Sequence, residues 1–264
     1  MDEKRYALIT GATGGIGWEL ARLFAADGHP VILAGRDPVR LEERRRELSG
    51  QYGVPVETVC RDLTGEDAAT RLFEETRARG FSVNVLVNNA GFGDFARFLD
   101  ADWNRQRDMV TVNVTVPMRL MQLYGRAMRE AGGGRILNIA SVAAMGPGPY
   151  MATYYASKAF LLSFSEAMTE ELREYGVTVT ALCPGPTATG FEHAAKLESG
   201  NLFKAVKVEP ATKVAKRGYR ALMKGKPVRY CGPTVCFMTL GARLLPRATA
   251  RRFARRVNGR PAAK

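Results

Sequence analysis

Acidic residues are missing from the last fifth of this chain: from Pro210 to Lys264 there is no Asp or Glu, while fifteen Lys and Arg occur. The whole sequence of 264 residues carries 39 basic and 26 acidic side chains, a formal net charge of +13. Without that segment, 24 basic residues face 26 acidic ones, so the body is near neutral and the positive excess belongs to the tail. Charge confined in this way describes a surface of the tail, and no nucleic-acid recognition motif accompanies it, so nucleic acid is not an expected partner. Histidine and cysteine are scarce as well. His29 and His193 are the only histidines, and Cys60, Cys183, Cys231 and Cys236 are scattered with no CxxC pair. Zinc needs closely spaced ligand sets, so no metal site is expected. Reduced thiols of this kind fit a cytoplasmic protein. Long apolar runs are also lacking. The longest uncharged stretch, Ile136 to Ser157, is broken by Asn138, Ser141 and Gly146-Pro147-Gly148-Pro149, and reads as a strand plus a loop. The charged segment Met1 to Arg5 does not read as a signal peptide.

What is present is enough apolar material, 46% of residues, for one sizeable core. Short β-rich runs alternate with segments of helical period. The expected strands are Tyr6–Thr10, Val31–Ala34, Val56–Cys60, Val83–Asn88, Arg135–Ala140, Val177–Cys183 and Val228–Cys231. The expected helices lie near Ile16–Asp27, Val39–Ser49, Glu66–Arg79, Trp103–Glu130, Thr153–Tyr175 and Ala211–Met223. Runs such as Ala7-Leu8-Ile9 and Val85-Leu86-Val87 are apolar at every position, as strands covered on both faces require. Alternating β and α elements imply right-handed crossovers and a doubly wound α/β sheet.

The first strand runs into Thr10-Gly11-Ala12-Thr13-Gly14-Gly15-Ile16-Gly17 and then a helix. Glycines let a backbone approach a pyrophosphate closely, and the helix N-terminus behind them offers unpaired N–H groups. The spacing is TGxxxGxG, with Gly11, Gly15 and Gly17 at the key places. At the end of the second strand stand Gly35, Arg36, Asp37 and Pro38. An acid there grips a ribose 2′-hydroxyl, whereas an arginine accommodates a 2′-phosphate. Asp37 before Pro38 reads as a helix N-cap, which leaves Arg36 and a preference for NADP(H) over NAD(H).

Near the middle lie Ser141 and then Tyr154-Tyr155-Ala156-Ser157-Lys158. Tyr154 and Lys158 are i and i+4, hence on one face of a helix. A phenol near pKa 10 is a poor proton donor and acceptor at neutrality, and a neighbouring ammonium lowers that value. Reduction of a carbonyl needs an acid for the developing alkoxide and hydrogen-bond donors beside it. Tyr154 can supply the acid, Lys158 its tuning and Ser141 a second donor. Tyr155 competes with Tyr154 but has no lysine at i+4, and Tyr150 reads as part of a loop wall.

With these motifs the sequence resembles the short-chain dehydrogenase/reductase family, in a bacterial branch similar to long-chain 3-oxoacyl and 17β-hydroxysteroid reductases, over roughly Lys4 to Cys231. The resemblance implies a single Rossmann-type domain of about seven strands in the order 3-2-1-4-5-6-7. It implies cofactor contacts from Gly11, Thr13, Gly14, Gly15, Ile16 and Gly17 in the turn, from Arg36, and from Asp62 and Leu63 on the adenine side. Asn89, Ala90 and Gly91 of the Asn88-Asn89-Ala90-Gly91 segment join them, with Pro184, Gly185, Thr187 and Thr189 beside the nicotinamide. It further implies catalytic roles for Asn113, Ser141, Tyr154 and Lys158, with Asn113 in a water-mediated relay through Lys158 and with Tyr154 and Lys158 also touching the cofactor. The implied activity is hydride transfer between NADP(H) and a carbonyl or alcohol; the competing idea is a non-catalytic NADP-binding regulator or scaffold.

Residues 190–208 are expected to form a substrate lid, with Phe191, Leu197, Leu202, Phe203 and Val206 as an apolar cover and Met145, Tyr150 and Met151 adding to the wall. A small hydrophobic carbonyl compound suits such a site. Residues 1–232 then make the catalytic domain and 233–264 a basic amphipathic extension. Within Thr234–Arg256 stand apolar Val235, Phe237, Met238, Leu240, Leu244 and Leu245 and basic Arg243, Arg247, Arg251, Arg252, Arg255 and Arg256, with Pro246 ending a first helix. Three readings fit it: a peripheral membrane contact, docking of an acidic carrier or thioester phosphate, or packing on the enzyme or across a dimer. A homodimer or homotetramer is the assembly the resemblance implies.

Overall fold

The computed structural model describes residues 5–191, 195, 208–232, 235, 239, 241, 246–259 and 261. Strands β1 (Arg5–Thr10), β2 (Val31–Gly35), β3 (Val56–Cys60), β4 (Ser82–Asn88), β5 (Gly134–Ile139), β6 (Val177–Cys183) and β9 (Val228–Tyr230) form one parallel sheet, in the order β3-β2-β1-β4-β5-β6-β9. This is the expected Rossmann-type order, with the strand after β6 appearing as β9 because two short strands intervene. Those are β7 (Thr187–Ala188) and β8 (Glu209–Pro210), which pair in parallel and tie the two ends of the lid segment together. Of the segment expected to form a lid, 190–208, Gly190, Phe191, Ala195 and Val208 are described, while Leu197, Leu202, Phe203 and Val206 lie outside the described residues.

Alternation along the strands explains the two covered faces. Ala7 and Ile9 of β1, Val31 and Leu33 of β2, and Val85 and Val87 of β4 point to one side, into a core shared with α1 (Gly15–Ala26), α2 (Pro38–Tyr52) and α7 (Ala211–Met223). Their neighbours Leu8, Ile32 and Leu86 point to the other side, against α3 (Ala68–Ala78) and α5 (Val116–Glu130). Each of these residues is at most 1% exposed, which accounts for the unbroken apolar runs.

One polar side chain at the centre of this core is paired at both ends. Asn138 of β5 is fully buried; its Oδ1 accepts from Asn88 Nδ2 at 2.9 Å, and its Nδ2 donates to Ser165 Oγ at 2.8 Å. Two strands and helix α6 (Ala152–Glu171) are thereby held in one register at the end of the sheet where the site lies.

Helix boundaries differ from expectation in two instructive places. The single helix expected over Trp103–Glu130 is α4 (Trp103–Val110), a π-helical turn (Thr111–Thr115) and then α5. Pro117 has no N–H to give the carbonyl four residues back, that of Asn113, and the wider turn accommodates the missing bond. The helix expected from Glu66 begins at Ala68, because Asp67 takes a left-handed conformation (φ +55°). Asp37 does cap α2: its side chain accepts from Arg40 N at 3.1 Å, with Pro38 in the first turn. At the C-terminal side, α8 (Arg247–Asn258) follows Pro246, which stands at the N-cap of this helix. Phe237, Met238, Leu240, Arg243, Leu244 and Leu245 lie outside the described residues. Among the described residues no helix is long and apolar enough to cross a membrane, and no cluster of potential metal ligands occurs.

Candidate active site

The strands β1, β4, β5 and β6 end on the same side, and the loops that follow them enclose a cavity of about 650 Å³. Open parallel sheets place their ligand sites at this edge. The glycine turn forms its floor. Gly11 (φ +63°) and Gly15 (φ +56°) occupy the left-handed region that favours glycine. At Gly17 the constraint is space: a Cβ there would lie 2.3 Å from Asn89 Nδ2 and 2.5 Å from the Gly11 carbonyl oxygen. Asn89 is what fills that space, and it does so to hold the turn. Its Nδ2 donates to the carbonyls of Thr10 (2.8 Å) and Gly11 (3.0 Å). The Thr10 hydroxyl oxygen in return accepts from the backbone N–H groups of Asn89 and Ala90, both at 3.0 Å, and donates to the Val87 carbonyl at 3.3 Å. Thr10 was not among the expected site residues, although its β-branched hydroxyl at the strand end before a glycine was a usable signal.

Helix α1 begins at this turn with Gly14 as its N-cap, no side-chain cap and no acidic residue in its first turn. Its leading N–H groups and the positive end of its dipole are therefore left to an anion. Close backbone approach, two left-handed glycines and an uncapped helix start fit a dinucleotide pyrophosphate. Thr13 sits beside this floor, its methyl against Gly35, and Arg44 of α2 donates to the Thr13 carbonyl at 3.3 Å.

The far wall carries Ser141, Tyr154 and Lys158. Ser141 follows β5, 8% exposed, and its Oγ accepts from Ala143 N at 3.1 Å, which fixes the hydroxyl at the start of a short 3-10 turn. Tyr154 and Lys158 lie on α6 one turn apart and face the same cavity. Burial pushes the Tyr154 phenol up to about 12, against the opposing effect of a hydrogen bond with Ser141. Burial likewise brings Lys158 down to about 8. Lys158 Nζ donates to the Ile139 carbonyl at 2.7 Å and lies 5.9 Å from the centre of the Tyr154 ring. The lowering of Tyr154 by Lys158 expected from their spacing is not among the influences on the phenol; desolvation, which penalises the charged form of each group, is the largest on both.

Asn113 is 1% exposed and stands behind Gly91. A Cβ on Gly91 would lie 2.9 Å from Asn113 Oδ1 and 3.3 Å from Lys158 Nζ, so the bare glycine leaves room for both side chains beside it. The Asn113 amide exchanges hydrogen bonds with the Phe92 backbone (2.9 and 3.2 Å) and donates to Ser157 Oγ at 3.0 Å. Its side chain is therefore committed to fastening the loop after β4 to α6. Its main-chain carbonyl has no α-helical donor, because position 117 is proline.

Of the remaining expected residues, Gly11, Gly14, Gly15, Ile16, Asn89 and Ala90 line the cavity floor. Pro184, Gly185, Thr187 and Thr189 line the side formed after β6. Arg36, Asp62 and Leu63 lie beyond it, past the ends of β2 and β3. Arg36 is exposed and near enough to Asp62 to help hold its carboxyl below the ordinary range, after the hydrogen bond from the Thr64 backbone. Leu63 is buried with Ala68 and Ala69.

The substrate side is apolar: Met145, Met151 and Phe191 line it, the Phe191 ring 5.2 Å from that of Tyr154. Sequence reasoning missed one whole wall. Ala250, Phe253, Ala254, Val257 and Asn258, one face of α8, close the cavity from the tail side. Their i, i+3, i+4, i+7 and i+8 spacing was the available signal, masked by the arginines between them.

Fold and site together define a dinucleotide-dependent oxidoreductase. The family model for short chain dehydrogenases matches residues 5–199, and the chain belongs to that family. An uncharacterized oxidoreductase of Bacillus subtilis, YvrD, is 38% identical over 190 residues, covering 71% of this chain and 70% of its own. The very-long-chain 3-oxoacyl-CoA reductase of Bos taurus is 32% identical over 189 residues, 70% of this chain and 60% of that protein. Among solved structures, a short-chain dehydrogenase from Sphingobium yanoikuyae in complex with NADPH superposes with a TM-score of 0.81 at 29% identity, over 90% of this chain and 93% of that one.

The close packing under the glycine turn is testable. Gly17→Ala should displace Asn89 and weaken binding of the nicotinamide dinucleotide at least tenfold, about 1.4 kcal/mol or more, in a fluorescence titration. Parental affinity in that variant would show that the contact between Gly17 and Asn89 does not shape the cradle.

Proposed function

We propose that this protein reduces hydrophobic carbonyl compounds, or oxidises the corresponding alcohols, with NADP(H), and that Tyr154 is the proton donor and acceptor. The observation that carries the reading is the meeting of Ser141, Tyr154 and Lys158 at one apolar cavity whose other end is the glycine cradle. The cofactor supplies or takes the hydride when bound. Gly11, Gly14, Gly15 and Ile16 are the residues to hold its pyrophosphate, and Lys158 and the Pro184–Thr189 segment its nicotinamide end.

Within this reading the protein's own groups divide the work. The Ser141 hydroxyl, its oxygen occupied by the Ala143 N–H, has its proton to give to a substrate oxygen. The Tyr154 hydroxyl keeps its proton through the neutral range, as a group pushed up to about 12 must, and delivers it to the developing alkoxide. Lys158, charged below about 8, stabilises the phenolate left behind. Met145, Met151 and Phe191 exclude water and favour an apolar substrate. The bovine relative is described as acting on very-long-chain 3-oxoacyl-CoA, which supports an apolar chain as the substrate's body. A non-catalytic scaffold would have no use for the complete Ser–Tyr–Lys set.

Tyr154→Phe should abolish NADPH consumption in a panel of ketones, aldehydes and 3-oxoacyl thioesters while leaving dinucleotide affinity within about twofold; full turnover in that variant would sink the proposal. At saturating NADPH, kcat/KM for reduction should hold level at low pH and fall as pH rises through about 8, because Lys158 loses the charge that stabilises the phenolate. A rate that climbs between about pH 8 and 9 is the opposite sign and would remove Lys158 from that role. For the cofactor, the parent should bind NADPH more tightly than NADH and Arg36→Ala should narrow the difference about tenfold or more; equal affinities in the parent would overturn the phosphate preference.

A further inference from the structure

The tail helix α8 does more than cover the cavity. Its last residue, Asn258, is fully buried although its neighbours Arg255 and Arg256 are exposed. Both ends of the Asn258 amide are used. Oδ1 accepts from the Tyr155 hydroxyl at 2.9 Å, and Nδ2 donates to the Pro149 carbonyl at 2.9 Å. These partners flank the start of α6, the helix that carries Tyr154. The loop before it is under constraint: Tyr150 has φ +68°, a conformation a tyrosine adopts only when its surroundings impose it. The Ala96 N–H holds the Tyr150 carbonyl at 3.0 Å from one side, and Asn258 holds the adjacent Pro149 carbonyl from the other. Gly148 is required beneath, since a Cβ there would lie 2.3 Å from the Tyr155 ring.

We propose that Asn258 is a positioning residue that latches α8 over the cavity as its outer wall, and that the Tyr155–Asn258–Pro149 connection sets which substrates fit. Tyr155, the competitor of Tyr154 in sequence, thereby has its own role one position along: its hydroxyl points to the tail, not to the reacting carbonyl. The inner face of α8 presents Ala250, Phe253, Ala254 and Val257 to the substrate, and the latch fixes their distance from Tyr154. Phe253 is 59% exposed while lining the cavity, as a side chain at the rim of an opening is. Asparagine suits the position because it accepts and donates at once, whereas aspartate would turn an oxygen toward the Pro149 carbonyl. The substrate part of this proposal rests on the carbonyl-reductase reading above; the latch itself does not.

The test uses the full-length protein with NADPH present and the variants Asn258→Ala and Tyr155→Phe. Exposed Arg251, Arg252, Arg255 and Arg256 make the helix its own reporter, because trypsin cuts there only when α8 opens. Mass spectrometry should show cutting between residues 251 and 256 roughly fivefold faster in Tyr155→Phe, the size expected for loss of one hydrogen bond, and faster again in Asn258→Ala, which loses two, while the double variant should be no faster than Asn258→Ala alone. In steady-state assays with a long-chain and a short-chain ketone, KM for the long-chain one should rise about threefold or more while kcat changes less, and the ratio between the two ketones should shrink. If Asn258→Ala fails to fold, Tyr155→Phe, which removes a single oxygen and keeps the ring over Gly148, gives the same readouts. Cutting rates and KM values equal to the parent's would overturn the latch. Faster cutting in a protein whose parent turns over no carbonyl would keep the latch and sink the reductase reading instead, so the two failures are separable.

Discussion

The site depends on one clasp between the ends of β1 and β4. Asn89 gives both amide hydrogens to the Thr10 and Gly11 carbonyls, and Thr10 receives the N–H groups of Asn89 and Ala90 on a single hydroxyl oxygen. Neither strand could bend into its loop at this point without leaving buried polar groups unpaired, a cost of about 1–3 kcal/mol for each. The clasp forces the glycine turn to lie directly against Asn89, and that contact admits no Cβ at Gly17. It also fixes Ala90 and, next to it, Gly91, whose missing Cβ leaves room for the Asn113 and Lys158 side chains. A cofactor cradle at one end of the cavity and the environment of the lysine at the other are thus consequences of the same four hydrogen bonds.

Most of the architecture was legible because parallel strands buried on both faces leave an unmistakable pattern. Ala7, Leu8 and Ile9 are apolar without alternation since odd and even positions meet different helices. The glycine turn, the Asn88–Gly91 segment and the Ser141, Tyr154 and Lys158 positions were legible for a related reason: each sits at a strand end or helix start, where local chemistry and fold coincide. The features that escaped are those made by distant pairs. Nothing near Asn258 announces that it will meet Tyr155 and Pro149, more than a hundred residues earlier. The π-helical turn at Thr111–Thr115 was readable in principle from Pro117, but only together with the knowledge that the helix continues through it.

The behaviour of the Tyr154–Lys158 pair shows why spacing alone does not set reactivity. One helical turn puts the two side chains on the same face, and in water a neighbouring ammonium would favour the phenolate. In this cavity both groups are desolvated, and desolvation raises the phenol and lowers the amine. The lysine directs a proton to the Ile139 carbonyl at the end of β5. The spacing brings the pair together, and the cavity sets the charge state that each one favours.

The tail joins two requirements that its sequence sets against each other. An arginine-rich helix of twelve residues with no acidic residue of its own is a poor candidate for burial, yet its Ala250, Phe253, Ala254 and Val257 repeat at the spacing of one face. Segregation resolves the conflict: the apolar face closes a cavity that is itself apolar, and Arg251, Arg252, Arg255 and Arg256 stay in water, where each retains its hydration. Along that face Ala250, Ala254 and Val257 are half-buried and Phe253 stands at the rim, so the wall closes on the cavity without filling it. Such a helix contributes little apolar area, so its attachment falls to a few directed bonds, and a single asparagine that both accepts and donates at the buried end can hold it. On the proposed latch, the wall can be rebuilt by changing the tail alone, while the clasp, the glycine turn and Tyr154 remain as they are.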